Sequence, residues 1–425
     1  MIKLYRLIKA LWSLRDCENR KNFTILLRNY MDSVRQSRLN LTTFNAPYSV
    51  EYPVSHCNHK ILLVIHEFSR TGAPYAILYL AQSLLSINGV PPVIISPKDG
   101  PIREEFQKEG FVTIVDPLLF NYQYYSPEAC GFVQGFERVI VTSLACHNFV
   151  RYFRGVGKRL VWWIHETDVG FTLAAKMGAD LPLLFSACES IWLGSPLCFP
   201  PASQYAAQDK LHLLLYGCTD TASPHRRHDS GKIIFSIVGS VEERKGQDIF
   251  LDAVELLPRE LRCKAIFRII GSPLPNDRSV SFCNKISMRA ARIPGVECIA
   301  NMPLETLQKF YSESSVIVSA SRDDPMPIVI TQGLMFSVVC LCSSVIGHAK
   351  LLKDGENGLI FASESAEELS EKMGWILQNP TELINLGTAG RALYEKYFLM
   401  TSFVENVKNL IRSGGPIARS GCEPK

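Results

Sequence analysis

Short apolar runs alternate with stretches of helical spacing along most of the chain. The first run, Ile61-Leu62-Leu63-Val64-Ile65, is continuously apolar, as a strand covered on both faces is. A loop from His66 to Pro74 follows. Tyr75 to Asn88 then carries Ile77, Leu78, Leu80, Ala81 and Leu84 at the spacing of one helix face. Val90 to Ser96 predicts a strand, Pro101 to Glu109 a helix and Val112 to Val115 a strand. Further strands are predicted at Arg138–Thr142, Leu160–Ile164, Ser190–Gly194 and Leu211–Tyr216. A polar stretch, residues 219–231, reads as a linker. A second alternation follows, with strands at Ile233–Val238, Phe267–Ile270, Val296–Ile299, Ser315–Ser319, Val338–Cys342 and Leu359–Phe361. Its helices are predicted at Gln247–Leu257 and Leu304–Ser312, and a last one at Thr401–Ile411. Such alternation means parallel sheets with helices on both faces. The fold class is therefore α/β, two Rossmann-like doubly wound domains at 59–220 and 221–396. A C-terminal helix at 397–412 and a Gly/Ser/Pro-rich tail at 413–425, expected to be disordered, follow.

Residues 1–58 fall outside that pattern. Leu4, Leu7, Ile8, Leu11 and Leu14 share one helical face, while Lys3, Arg6 and Lys9 lie off it. Residues 1–38 hold nine Lys/Arg and three Asp/Glu, so +6 of a total net charge of +4. Two readings stay open: an amphipathic helix on an anionic membrane surface, or an appendage packed on the body of the protein. Residues 39–58 read as a linker. The small net charge gives no sign of a nucleic-acid partner. No apolar run reaches the roughly 20 residues of a membrane span, and the N-terminus lacks the uninterrupted apolar core of a secretory signal. The 13 cysteines show no CxxC pair and no Cys/His metal spacing, so reduced, buried cysteines and a cytoplasmic location are expected.

Ligands of doubly wound sheets bind outside the carboxyl ends of the strands, and four loops there carry candidate chemistry. After the first strand, Gly72 precedes a helix N-terminus and suits either a close ligand approach or a plain tight turn. After Leu160–Ile164 comes His165, a donor to a substrate hydroxyl or a structural histidine. After Ile233–Val238, the loop from Gly239 to Gly246 holds Arg244 and Lys245, which suit a diphosphate, beside Glu242 and Glu243, which oppose it. After Ser315–Ser319 comes Ser321-Arg322-Asp323-Asp324-Pro325-Met326-Pro327-Ile328-Val329-Ile330-Thr331-Gln332-Gly333. Here Asp324 reads as an N-cap with Pro325 at the first helical position. The amides of Ile328 and Val329 would meet a phosphate and Gln332 a ribose. The aromatic loop Phe120–Tyr125 reads as packing or as an acceptor contact.

The order of elements, the His165 strand end, the Arg244-Lys245-Gly246 loop and the stretch from Ser321 to Gly333 resemble the family-four glycosyltransferases of the GT-B fold. Asp354-Gly355-Glu356-Asn357-Gly358-Leu359 resembles that family's Asp-Gly-x-Asn-Gly-Leu segment, preceded by Gly347 at its glycine loop. The resemblance spans roughly residues 60–410. It implies two domains facing a central cleft and transfer of a sugar from a UDP- or GDP-linked donor with retention of configuration. The acceptor would be a glycan or lipid-linked, in cell-surface polysaccharide synthesis. Neither cofactor nor metal is implied, the nucleotide-sugar being a substrate. By position, Lys245 would hold the donor diphosphate, helped by Arg244, with Gly239 in the same loop. Asp324 would contact the transferred sugar, Gln332 the ribose, His165 the sugar, and Gly72 the phosphate side of the first domain. The catalytic set would be Asp324, Lys245 and His165.

Three positions depart from the family pattern. Asp324 and Gln332 stand where that family has glutamates, and Ser240 where many members carry a phosphate-binding arginine. A neutral hydrogen bond contributes about 1 kcal/mol against roughly 1.5–3 for a charged one, so weaker donor binding is expected. The departures keep two rivals open: a transferase-like binding protein without activity, and another enzyme of the same fold such as a nucleotide-sugar epimerase.

Overall fold

The computed structural model describes residues 60–117, 127–154, 159–222, 231–300 and 304–413. The N-terminal extension, the aromatic loop at 120–125, most of the 219–231 linker and the tail beyond Ser413 lie outside the described residues.

The chain divides into two compact units at Cys218/Thr219, and the second ends at Leu399. Unit 1 is one seven-stranded sheet in the order β3-β2-β1-β4-β5-β6-β7, every pairing parallel. Its strands are β1 (Ile61–Val64), β2 (Val93–Ser96), β3 (Val112–Val115), β4 (Arg138–Thr142), β5 (Arg159–Ile164), β6 (Ser190–Leu193) and β7 (Leu211–Leu213). Its helices are α1 (Gly72–Asn88), α2 (Arg103–Lys108), α3 (Pro127–Gln134), α4 (His147–Phe153), α5 (Asp168–Lys176) and α6 (Leu181–Ala187), with short turns between them. β1, β2, β4 and β6 are buried at every position, because helices cover both sides of a parallel sheet. One face packs Leu62, Val64, Val139, Val141, Trp162 and Ile164 into a common core.

Unit 2 repeats the plan with six strands, β10-β9-β8-β11-β12-β13, again all parallel. They are β8 (Ile233–Val238), β9 (Ala265–Ile270), β10 (Val296–Ile299), β11 (Val316–Ser319), β12 (Val339–Ser343) and β13 (Leu359–Phe361). The helices are α7 (Gln247–Leu256), α8 (Asp277–Ala290), α9 (Leu304–Glu313), α10 (Ile328–Met335), α11 (Ala366–Gln378) and α12 (Glu382–Tyr397). The last helix, α13 (Met400–Ser413), belongs to unit 1, where it packs on α1. Gly217 gives it room: a Cβ there would lie 2.4 Å from the Cβ of Phe403. Arg138 donates to the Ile411 carbonyl at 3.0 Å and fixes the far end.

In each unit, the first strand turns to one side of the sheet and the fourth to the other. The crevice between them, β1/β4 in unit 1 and β8/β11 in unit 2, is the topological switch point.

Several expectations need correction. α1 begins at Gly72 rather than Tyr75, with Pro74 tolerated in its first turn. β2 begins at Val93, after Pro91 and Pro92, since proline cannot donate to a ladder. Asp324 is not the N-cap. α10 starts at Ile328 with Pro327 as its extended N-cap residue and no side-chain cap. Two prolines explain this, because each biases the residue before it away from the helical region. Asp324 instead bridges Ile346 in parallel fashion and its carbonyl accepts from Gly347 N–H at 3.2 Å. The final helix runs through Ser413, two residues past its expected end. Of the described cysteines, Cys146, Cys188, Cys198, Cys218, Cys340 and Cys342 are buried, whereas Cys263 and Cys298 are exposed. No helix among the described residues is long and apolar enough to cross a membrane.

Candidate active site

At the switch point of unit 2, two loops are locked together before any ligand is considered. Gly246 ends the loop after β8 at φ 71°, and a Cβ there would lie 2.0 Å from the Ala320 carbonyl oxygen, so only glycine fits. Arg322 N–H donates to the Arg244 carbonyl at 2.8 Å, and Arg244 Nη1 donates to the Asp323 carbonyl at 2.9 Å. The Arg322 guanidinium donates to the Glu243 carbonyl and forks onto Asp248 at 2.9 and 2.8 Å. It also reaches Glu364 at 2.6 and 3.2 Å. Glu364 holds φ 65°, a left-handed conformation unusual for a side-chain-bearing residue. The network over-determines it.

This frame presents Lys245 to Asp324, whose Nζ and Oδ2 lie 2.5 Å apart. Arg244 Nη1 stands 3.6 Å from the same oxygen, and its Nη2 donates to Glu242 Oε1 at 2.9 Å. Burial would raise the Asp324 pKa, but Lys245 and Arg244 outweigh it and hold the carboxyl below its ordinary value. Glu242 is likewise depressed, burial being outweighed by Arg244 and Lys245. Burial acts to lower the Arg244 pKa, but Glu242, Asp324 and Asp323 hold it above its ordinary value. Gly239 sits at φ 144°, a conformation side-chain-bearing residues rarely adopt; the Lys245 stem lies beside it, and a Cβ there would meet Lys245 Cε at an ordinary contact distance of 3.8 Å.

The structure thus brings Gly239, Arg244, Lys245 and Asp324 together. Arg244 is committed to bracing the loops, which leaves Lys245 as the more adaptable cation. Ile328 and Val329 occupy the first turn of α10, where helix geometry gives their amides no intrahelical acceptor. Gln332, one turn into α10, is buried. Ser240 Oγ donates to Glu242 Oε1 at 2.9 Å.

The remaining two residues belong to unit 1. His165 follows β5, with its ring 4.5 Å from that of Trp163 and its Nδ1 against Gly194, where a Cβ would approach to 2.4 Å. Burial, with His66 nearby, drives its pKa down to about 3, so the imidazole is neutral at ordinary pH. Gly72 opens α1 and is exposed; a Cβ there would meet nothing within 4 Å, so close packing does not require glycine at this position.

Sequence reasoning passed over Arg322, Asp248 and Glu364. Their one local signal was an arginine beside two aspartates. It also missed Thr331 and His348, whose Oγ1 and Nε2 lie 2.8 Å apart, both fully buried beneath the Asp324 loop. Among the described residues, no group of three or more His, Cys, Asp or Glu is arranged to hold a metal ion.

Comparison with known proteins bears on the family and the fold. The family described as "Glycosyl transferases group 1" matches residues 219–393, and "Glycosyl-transferase family 4" matches residues 57–194. An uncharacterized glycosyltransferase of Methanocaldococcus jannaschii is 23% identical over 160 residues, 38% of this chain and 42% of that protein, so the match spans less than half of the relative. Among solved structures, HepE of Anabaena in complex with UDP and glucose superposes with a TM-score of 0.70 at 12% identity, covering 84% of this chain and 100% of that one. A mutant TarM of S. aureus with fondaparinux, alpha-GlcNAc-glycerol and UDP gives 0.67 at 10% identity, covering 84% and 100%. Sucrose-phosphate synthase of Thermosynechococcus elongatus gives 0.65 at 14% identity, covering 83% and 98%. At such identities the structures speak for the fold, and the two adjacent family matches speak for the kinship: the chain belongs to the family 4, group 1 glycosyltransferases of the GT-B fold.

Proposed function

We propose that the protein transfers a hexosyl group from a UDP- or GDP-linked sugar to a glycan or lipid-linked acceptor, with retention of configuration, in the synthesis of a surface polysaccharide. The observation that carries this reading is the Lys245–Asp324 pair at the switch point beside the start of α10. As the glycosidic bond breaks, negative charge grows on the leaving phosphate. Lys245 and the amides of Ile328 and Val329 are the groups to meet it, and Asp324 and His165 are assigned to the transferred sugar. Gln332 is assigned to the ribose and Gly72 to the phosphate side of unit 1. The acceptor hydroxyl attacks from the leaving-group face and the departing phosphate takes its proton, so no side-chain nucleophile and no metal are needed. The named complexes of HepE and TarM with UDP favour uridine as the base. Catalysis would take place on the cytoplasmic side, with residues 1–38 offering a contact to anionic lipid.

A thermal-shift panel of UDP, GDP, ADP, dTDP and their common sugar conjugates tests the reading. Ligand at 100 times its Kd adds about 2.7 kcal/mol to the unit that binds it. For a unit of this size that is a rise of several degrees, about 2–4 °C per kcal/mol. One base is expected to give a clear shift. No shift from any nucleotide would favour a non-catalytic binding protein, a reading to which the neutral Gln332 and the engaged Ser240 hydroxyl lend weight.

A further inference from the structure

One buried titratable group beside the site has no part in the assignment above. His348 sits in the turn Gly347–Lys350 that follows β12 and is 0% exposed. Burial drives its pKa down to about 3, and the nearby Asp324, which acts to raise it, does not offset that. The imidazole is therefore neutral at ordinary pH, where the charges facing Asp324 are those of Lys245 and Arg244. With no exposed surface it meets no ligand directly.

What His348 does is join the two pieces of backbone that carry the site. Its neighbour Gly347 donates N–H to the Asp324 carbonyl at 3.2 Å, and Ile346 bridges Asp324 in parallel fashion. Its own Nε2 lies 2.8 Å from Thr331 Oγ1. Thr331 is also 0% exposed; it is the fourth residue of α10 and precedes Gln332. α10 starts without a side-chain cap, and two prolines stretch the chain between it and Asp324. Local geometry alone therefore does not hold the helix to the Asp324 loop, and the His348–Thr331 contact links them from the buried side. The ring itself is steadied by Phe398, which is fully buried and stacks on it with centroids 5.3 Å apart and planes 24° from parallel. Nδ1 has no hydrogen-bond partner among the described residues, so Nε2 is the end that orients the imidazole. Loss of Thr331 Oγ1 would leave a buried ring nitrogen unpaired, whereas replacing both partners by apolar groups that fill the same space carries no such penalty.

We propose that His348 is a positioning residue. Through Thr331 on one side and the Gly347–Asp324 contact on the other, it sets the register between the Asp324 carboxylate and α10. It thereby sets where Asp324 meets Lys245 and how Gln332 and the first-turn amides face the donor. The proposal rests on the glycosyl-transfer reading for what is being positioned, while the Asp324–Lys245 register exists without ligand.

Two variants separate position from stability. Thr331→Ala leaves the His348 ring unpaired and is expected to lower Tm. Thr331→Ala combined with His348→Phe removes both polar partners and lets the larger ring fill the vacated space against Phe398, so most of that loss should return. In both variants the 13C carboxyl signal of Asp324, assigned through Asp324→Asn, is followed against pH in the unliganded protein. Its titration, depressed in the wild type, is expected to move up toward the ordinary aspartate value in both variants and not to return with Tm. With donor and acceptor, kcat is expected to fall about tenfold in both, since a displacement of about 1 Å costs up to about 10²-fold. Donor KM and the thermal shift given by the nucleoside diphosphate should change little. An unchanged Asp324 titration in both variants would overturn the proposal. So would a titration and a kcat that recover together with Tm in the double variant, which would make His348 a packing residue. The titration needs no ligand, so a wild type without turnover would count against the transferase reading while Asp324 still decides this one.

Discussion

Lys245→Ala is expected to lower turnover by about 10²–10³-fold, as removal of one fixed charge-stabilising group does in a water-poor site. The apparent donor KM should rise only a few-fold. The asymmetry follows from when the charge appears. In the proposed reading the bound donor already carries a diphosphate, which Arg244 and the α10 amides would also face, but the charge released by bond breaking is new in the transition state. Lys245 is the cation suited to follow it, since its flexible stem passes over Gly239 while Arg244 is fixed by Glu242 and the Asp323 carbonyl. Steady-state kinetics of both forms checks this. Unchanged turnover with a higher KM would reduce Lys245 to a binding group.

The second large effect is expected from Asp324→Asn, which should separate nucleotide binding from sugar recognition. Removing the carboxylate frees Lys245 from its 2.5 Å partner, so the shift given by the nucleoside diphosphate alone should stay or grow. The extra shift given by the sugar conjugate should vanish. Unliganded unit 2 should also lose stability, because breaking one side of a largely buried ion pair costs about 3–5 kcal/mol at its upper end. The partial exposure of Lys245 and Arg244 reduces that figure. The pH dependence has a definite sign. The folded Asp324 carboxyl has a pKa below its unfolded value, so its contribution is complete above about pH 4, the unfolded pKa. That contribution is lost as pH falls through the folded pKa. Acid denaturation curves should therefore be flatter for Asp324→Asn than for the wild type below about pH 4 and parallel above it. Parallel curves throughout would mean that the pair contributes nothing to stability.

The fold was legible because its strands are short apolar runs and its glycines sit where loops must turn. Gly239 and Gly246 bracket the Lys245 loop in sequence as they do in space. The Asp324 loop was legible in identity but not in shape. Local propensity favoured an N-cap, and two prolines extended the backbone past it. The clamp on Arg322 was not legible, because its partners lie far along the chain: Asp248 is 74 residues away and Glu364 is 42. Nor was the Lys245–Asp324 pair, which spans 79 residues. Sequence order assigned each of the two a ligand, while the fold first assigns them to each other.

The central claim is that Lys245 and Asp324 serve glycosyl transfer rather than binding alone. It is tested most directly by following the anomeric proton signals of whichever nucleotide-sugar gives the largest thermal shift, in the presence of a panel of alkyl glycosides. The account predicts consumption of the donor and a product of the same anomeric configuration, both lost in Lys245→Ala. A donor that binds yet stays intact with every acceptor, or a product of inverted configuration, would contradict it.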